Sequence, residues 1–229
     1  MARAQPLSDL GAILTSGGVA QTIARYRAGQ VIFSEGDASD SIIYLQEGII
    51  KLSVFSNAGR EGVVALLRSG DFFGDECLVG QRRRTRNATA ITLSIVLVID
   101  KADMARLLRT QQALRRRFIE HLGARTIALE ADLVDLRVSY CTRRLARKLL
   151  LLNSYGKPGQ RFKSALPSLS QSTLAAMIGT SRSRTSSLMA NFMRLGFIAI
   201  TNGKLTVRRS LRRVLSNRSS RGASQHRKF

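Results

Sequence analysis

The sequence predicts an α+β chain in three parts: an all-β front domain, one long helix, and a winged helix-turn-helix at the back. Three observations predict it. Residues 31–67 alternate short β-branched apolar runs with glycine turns, which marks a sandwich or barrel. Between residues 111 and 140 apolar residues recur in steps of three and four, the spacing of a helical seam. Between residues 170 and 207 two short amphipathic stretches flank Gly179-Thr180-Ser181, and an Asn-Gly hairpin signal follows at Asn202-Gly203.

Composition supports a folded chain with an unusual partner preference. Apolar residues make up 44% of 229, enough for a core and too many for wholesale disorder. The net charge of +22 is unevenly spread. Residues 1–137 hold 18 Lys/Arg against 15 Asp/Glu, whereas residues 138–229 hold 19 Lys/Arg and no acid. A merely soluble basic surface would include some carboxylates. A stretch without any suits a polyanion, with nucleic acid ahead of an anionic membrane. The two cysteines, Cys77 and Cys141, form neither a disulfide framework nor a thiolate metal site. The first 21 residues lack a sustained apolar run, and no apolar stretch is long enough to span a bilayer, so a cytoplasmic protein is expected.

In the front part (residues 1–110), a short helical lead-in is expected before residue 30. Runs at 31–33, 41–45, 49–55 and 62–67 read as strands, separated by Gly29, Gly36-Asp37, Gly48, Asn57-Ala58-Gly59 and Gly70-Asp71. From Asn87 a long strand is expected, with Ile91, Leu93, Ile95, Leu97 and Ile99 alternating; residues 100–108 then read as a helix. Between the strands, DFFGDECLVG (71–80) places Gly74 before Asp75 and Glu76, and an arginine run follows at Arg82, Arg83, Arg84 and Arg86, then Asn87. A glycine before a short helical turn can present N–H groups to an anion, and an arginine can hold a phosphate in a bidentate fork. A carboxylate there can accept from sugar hydroxyls. The same pattern also occurs in ordinary loops.

The long helix, residues 111–140, carries Ile119, Leu122, Thr126, Leu129, Leu133, Leu136 and Tyr140 on one stripe. At 1.5 Å per residue about thirty residues span about 45 Å, longer than one small domain buries. The stripe therefore reads as a dimer seam, with an amphipathic helix lying on its own domain as the alternative.

In the back part, residues 143–153 read as a basic amphipathic helix, and residues 157–167 as a loop with short strands. Leu174, Met177 and Ile178 give the inner face of a first short helix. Ser181 is placed to N-cap a second, with Thr185, Leu188, Met189, Phe192 and Leu195 inward and Gly196 at its end. A hairpin at residues 197–207 completes a winged helix over 141–208. The second helix would enter the DNA major groove. Its outward residues Arg182, Ser183, Arg184, Ser187 and Arg194, with Asn191 at the margin, are candidate contacts, as is Lys204 on the wing. Residues 209–229 are expected to be a disordered basic tail.

The stretches GQVIFSEGDASDSIIYLQEG (29–48) and SGDFFGDECLVG (69–80) resemble the β-roll (jelly roll) of cyclic-nucleotide-binding domains. With the long helix and the helix-turn-helix behind them, residues 21–208 resemble the cyclic-AMP receptor protein/fumarate–nitrate reduction regulator (Crp/Fnr) family. The resemblance implies a phosphate cassette in which Gly74 matches the cassette glycine and Arg86 the phosphate-binding arginine. Asp75 matches the ribose-binding glutamate, one methylene short, and Asn87 stands where serine or threonine is usual. Leu129 and Glu130 match the positions of two adenine-binding hydroxyl residues. These departures leave the effector open: cyclic AMP, another cyclic nucleotide, another small molecule, or none. Of the family's base-reading Arg, Glu and Arg, matched by Arg182, Ser183 and Ser187, only the first is kept, so a different target sequence is expected.

The implied function is a homodimeric transcription regulator that binds a palindromic site in double-stranded DNA and works with RNA polymerase, without a membrane. An architectural, sequence-independent DNA-binding protein is the alternative. No iron–sulfur cluster is expected, since no Cys precedes Cys77, and no haem. His121, expected on the helix surface, and His226 are the only histidines. No nucleophile paired with a histidine, metal-ligand cluster or Walker loop points to an enzyme.

Overall fold

The computed structural model describes residues 21–138, 140–153, 169–201 and 204–216. The part of the expected helical lead-in before residue 21, the loop at 157–167, the Asn202-Gly203 turn and the tail beyond Ser216 lie outside the described residues. The chain forms two compact units that meet between Asp132 and Leu133.

The first unit contains eight strands, β1 (Gln21–Tyr26), β2 (Val31–Phe33), β3 (Ser41–Glu47), β4 (Ile49–Phe55), β5 (Glu61–Arg68), β6 (Phe72–Phe73), β7 (Asn87–Ala90) and β8 (Ser94–Asp100). They form two four-stranded antiparallel sheets, ordered β1-β8-β3-β6 and β2-β7-β4-β5. This is the jelly-roll form of the expected β domain. Two helices follow: α1 (Lys101–Thr110), N-capped by Asp100, and α2 (Gln112–Val138).

The side-chain alternation of a strand explains why β3 is apolar from Ile42 to Leu45. Ile43 and Leu45 face the second sheet and join Phe33, Ile50, Leu52, Phe73 and Val96 in one core. Ile42 and Tyr44 point the other way and pack with Phe72, Leu97, Ile99, Met104 and Leu107, and with Leu114 and Phe118 of α2. The first sheet is thus covered on both faces.

Two strands depart from expectation. β1 is a strand where the helical lead-in is expected, because it pairs along β8 from Gln21↔Ile99 to Tyr26↔Ser94. The long strand expected from Asn87 is broken at residues 91–93, so that β7 lies in one sheet and β8 in the other. The break is held by Ile91 N–H donating to Ile49 O (2.8 Å) and Ile49 N–H donating to Thr92 Oγ1 (2.9 Å). Gly48 makes room for it: at φ 101°, a Cβ there would meet Leu93 O at 2.6 Å.

Along α2 the two readings of the stripe divide. Leu114, Phe118 and Leu122 pack on the roll. Ile119, Ile127, Leu129, Leu133, Val134 and Leu136, then Tyr140, are exposed.

The second unit holds α3 (Cys141–Asn153), α4 (Gln171–Ile178), α5 (Arg182–Arg194), the antiparallel pair β9 (Ile198–Thr201) and β10 (Lys204–Val207), a 3₁₀ turn at Arg209–Arg212, and α6 (Arg213–Ser216). Leu145, Leu149, Leu174, Ile178, Met189 and Phe192 are buried in it, with Ile198 and Val207 from the wing. Residues 209–216 do not belong to a disordered tail. Leu211 is fully buried, and Arg143 Nη2 donates to Leu215 O at 2.7 Å, which ties the last turn to α3. No helix among the described residues is long and apolar enough to cross a membrane.

Candidate nucleic-acid interface and effector cassette

In the second unit, local chemistry sets the helix-turn-helix. Ser170 caps α4, its Oγ accepting from Thr173 N–H at 3.0 Å. Gly179 ends α4 at φ 63°, and Thr180 N–H returns to Ala175 O at 3.1 Å. Ser181 then caps α5, accepting from Arg184 N–H at 3.2 Å. From α3, Arg144 Nε donates to Ile178 O at 2.9 Å, satisfying a carbonyl at the end of α4.

This frame puts Arg182, Ser183, Arg184 and Ser187 on the exposed side of α5, while Thr185, Met189 and Phe192 are buried. Ser187 Oγ donates back to Ser183 O at 3.1 Å, and Ser186 to Arg182 O at the same distance. Asn191 is half-buried, and its Oδ1 accepts from exposed Arg194 at 3.0 Å, so those two candidates engage each other. Lys204 opens β10 opposite Thr201. Residues 133–216 contain one acid, Asp135, which pairs with Arg147. Two residues the sequence reading passed over also meet near the start of α5: Ser186 donates to Gln171 Oε1 of α4.

In the first unit the cassette residues lie in and around a 3₁₀ turn, Asp75–Val79, that starts from Gly74 at φ 76°. The buried arginine beside this turn is Arg84. It is 3% exposed, stacks 4.4 Å over the Phe33 ring, and donates to Gly74 O (3.1 Å) and to Ser41 O and Oγ (2.9 Å each). Glu76, 6% exposed, stands 3.9 Å from it. Asp75 Oδ1 accepts from Arg125 Nη1 of α2 at 3.1 Å. Asn87 Oδ1 accepts from Glu35 N–H at 3.0 Å. Arg86 is half-buried, its Nε 3.4 Å from Thr85 Oγ1. Leu129 and Glu130 are exposed on α2.

His121 is not a helix-surface residue. Its Nε2 lies 3.0 Å from Phe72 O and its Nδ1 3.5 Å from Asp71 Oδ1, with the ring edge-on to Phe72. Cys77 is fully buried, and burial pushes its thiol above the usual range despite the opposing charge of Arg84. A thiol so placed is a packing group. Burial, then the charge of Asp71, also raises the Tyr44 phenol. Among the described residues no cluster of His, Cys, Asp and Glu could hold a metal ion.

Arg84 and Arg125 escaped the sequence reading. Three consecutive arginines, 82–84, carry no sign of which is buried. Arg125 did leave a signal: it follows His121 by four, the spacing that separates Asp71 from Asp75.

The cyclic nucleotide-binding domain family matches residues 23–111, and the Crp-like helix-turn-helix domain family residues 143–214. A "CRP-like cAMP-activated global transcriptional regulator" of Mycobacterium tuberculosis is 24% identical over 173 residues, 75% of this chain and 77% of its own. A "Global nitrogen regulator" of Synechococcus elongatus is 29% identical over 197 residues, 85% of this chain and 89% of its own. Among solved structures, FixK2 from Bradyrhizobium japonicum superposes with a TM-score of 0.75 at 17% identity, over 88% of this chain and 99% of that one. The c-di-GMP responsive regulator CLP of Xanthomonas campestris gives 0.72 at 18% identity, over 87% and 99%. At these identities the structural likeness speaks for the fold.

Proposed function

The chain belongs to the Crp/Fnr family of transcription regulators, a family of DNA-binding proteins and not of enzymes, and we propose that it acts as a homodimer reading a palindromic site in double-stranded DNA. The observation that carries this reading is the exposed face of α5. Arg182, Ser183, Arg184 and Ser187 stand free of the core, on a helix capped at its N-terminus, in a unit whose single acid is paired. An α-helix presenting such residues fits a major groove. Arg182 is assigned to guanine O6 and N7, Ser183 and Ser187 to neighbouring base edges, and Arg184 to phosphate. Arg194 and Lys204 are assigned to phosphates, with Asn191 orienting Arg194.

The exposed apolar stripe of α2 supports the dimer. A twofold axis along it would set the two reading helices about one turn of DNA, 34 Å, apart. RNA polymerase is the protein partner such a regulator addresses. An effector in the β-roll is a separate step of the reading. Cyclic AMP is one candidate, since a relative is named for it; a relative named for nitrogen regulation carries no such name.

Competition binding tests the reading. Sites selected from random DNA should be inverted repeats and should outcompete scrambled DNA by at least about 10³-fold at fixed salt. Arg182→Ala should cost about 1–3 kcal/mol on the selected site and relax one base pair per half-site. Equal binding to selected and scrambled DNA would sink the reading and leave an architectural DNA-binding protein.

A further inference from the structure

α2 ends at Val138 and α3 begins at Cys141, and a short break between two helices is where a hinge is expected. Here the break is bridged. The first bridge is Arg144, in the first turn of α3. Its Nε donates to Ile178 O at 2.9 Å, its Nη1 to Leu136 O at 3.4 Å and its Nη2 to Cys141 Sγ at 3.2 Å. Ile178 and Leu136 lie in the last turns of α4 and α2, where carbonyls lack helical partners and the helix dipole is negative. One guanidinium therefore serves the C-terminal ends of two helices from a third.

The second bridge is an ion pair. Asp135, 7% exposed on the last turn of α2, accepts from Arg147 Nη1 of α3. Asp135 is the one acid in residues 133–216. A carboxylate weakens the attraction of a basic surface for phosphate, and this one is turned inward and paired, where it joins α2 to α3. Leu136 adds an apolar contact at the corner of the helix-turn-helix: a Cβ on Gly179 would stand 3.4 Å from Leu136 Cδ2. All of these partners lie within the second unit.

We propose that Asp135 and Arg144 are positioning residues for DNA recognition. They lock the last turn of α2, α3 and the helix-turn-helix into one body, so that the pose of α5 is set by α2. This rests on the reading of the chain as a dimer that grips two half-sites. Neither residue touches DNA in that reading. For a single reader the lock changes little, because α5 presents the same face with or without it. For two readers joined through α2 it fixes their separation and phase. A pair held at the right spacing gains the full effective concentration of the second contact, and a loosely held pair gains less.

Two variants that keep the net charge test this in the full chain. Asp135→Asn with Arg147→Gln removes the ion pair. Arg144→Lys keeps the cation and loses the planar fork that spans two carbonyls. Fluorescence anisotropy is read on the site selected from random DNA, on its isolated half-site, and on the same site with two base pairs inserted at its centre. The insertion turns one half-site by about 70° and should weaken wild-type binding by at least about tenfold. In each variant the half-site affinity should stay within about twofold of the wild type, the full-site affinity should fall by about tenfold, and the insertion should weaken binding by no more than about threefold. Both variants should sediment as the wild type does. Amide exchange without DNA reads the lock itself: residues 133–138 and 174–179 should exchange about tenfold faster in both variants. An unchanged full-site affinity and insertion penalty would overturn the proposal. So would unchanged exchange, or a half-site affinity that falls in step with the full-site one, the mark of a merely structural role. A wild type that binds the full site no better than the half-site would refute the dimer reading, and the positioning role with it, while exchange still judged the lock.

Discussion

A guanidinium that is 3% exposed needs acceptors for its donors, and Arg84 finds three in Gly74 O, Ser41 O and Ser41 Oγ. Its charge partner is less complete. Glu76 lies 3.9 Å away, and Glu76 Oε1 and Arg84 Nε have no hydrogen-bond partner among the described residues. Such a pair contributes little net stability, yet removing one member leaves an uncompensated buried charge. Arg84→Met should therefore lower the stability of the first unit by about 3–5 kcal/mol, whereas Arg84→Met with Glu76→Leu should recover most of that loss. Urea unfolding followed by a probe in the β-roll reads both. If the double variant is as unstable as the single one, the carbonyls of Gly74 and Ser41, and not Glu76, hold the arginine in place.

At the scale of the element, the helix-turn-helix was legible because local groups determine it. Ser170 and Ser181 cap their own helices, and Gly179 supplies a left-handed corner that few other residues tolerate. The β-roll was legible in outline for the same reason: glycine turns at Gly29, Gly36, Gly48, Gly59 and Gly70 all have positive φ. What could not be read is decided by contacts distant in sequence. The apolar alternation runs straight through residues 91–93, and only the bonds to Ile49 show that the strand breaks there. Arg84 is singled out from its neighbours by Phe33, Ser41 and Gly74, 10 to 51 residues away. His121 looked like a surface residue because the stripe it adjoins is apolar, while its real neighbours, Asp71 and Phe72, are fifty and forty-nine positions upstream. The local origin of the turn makes a firm prediction. Gly179→Ala puts a Cβ 3.4 Å from Leu136 Cδ2, ordinary contact, so its cost is the conformational one of about 1–2 kcal/mol for a side chain at φ 63°. The midpoint of thermal unfolding of the second unit should fall accordingly. An unchanged midpoint would mean that the corner relaxes out of the left-handed region.

On the scale of the whole molecule, α2 is 27 residues long and spans about 40 Å. Its first turns are anchored in the core of the first unit by Leu114 and Phe118, and its last residues belong to the second unit. Between and beyond, Ile119, Ile127, Leu129, Leu133, Val134 and Leu136 are exposed on a single chain. A stripe of this length is costly in water, and in the proposed dimer a second copy of the same stripe would cover it, with Leu129 and Leu133 one turn apart near its middle. Leu129→Glu together with Leu133→Glu would set like charges across that seam. Because both side chains are exposed in the monomer, the fold should lose no more than about 0.5 kcal/mol per site. Sedimentation should then move from dimer to monomer. The DNA consequence follows from linkage of the two readers: a dimer that grips both half-sites gains about 10²–10⁴-fold over one reader alone, and the variant should lose that factor on the full palindrome while keeping its affinity for an isolated half-site. Fluorescence anisotropy on the two DNAs measures the ratio directly. A variant that remains dimeric, or that loses both affinities equally, would place the dimer contact elsewhere than on α2.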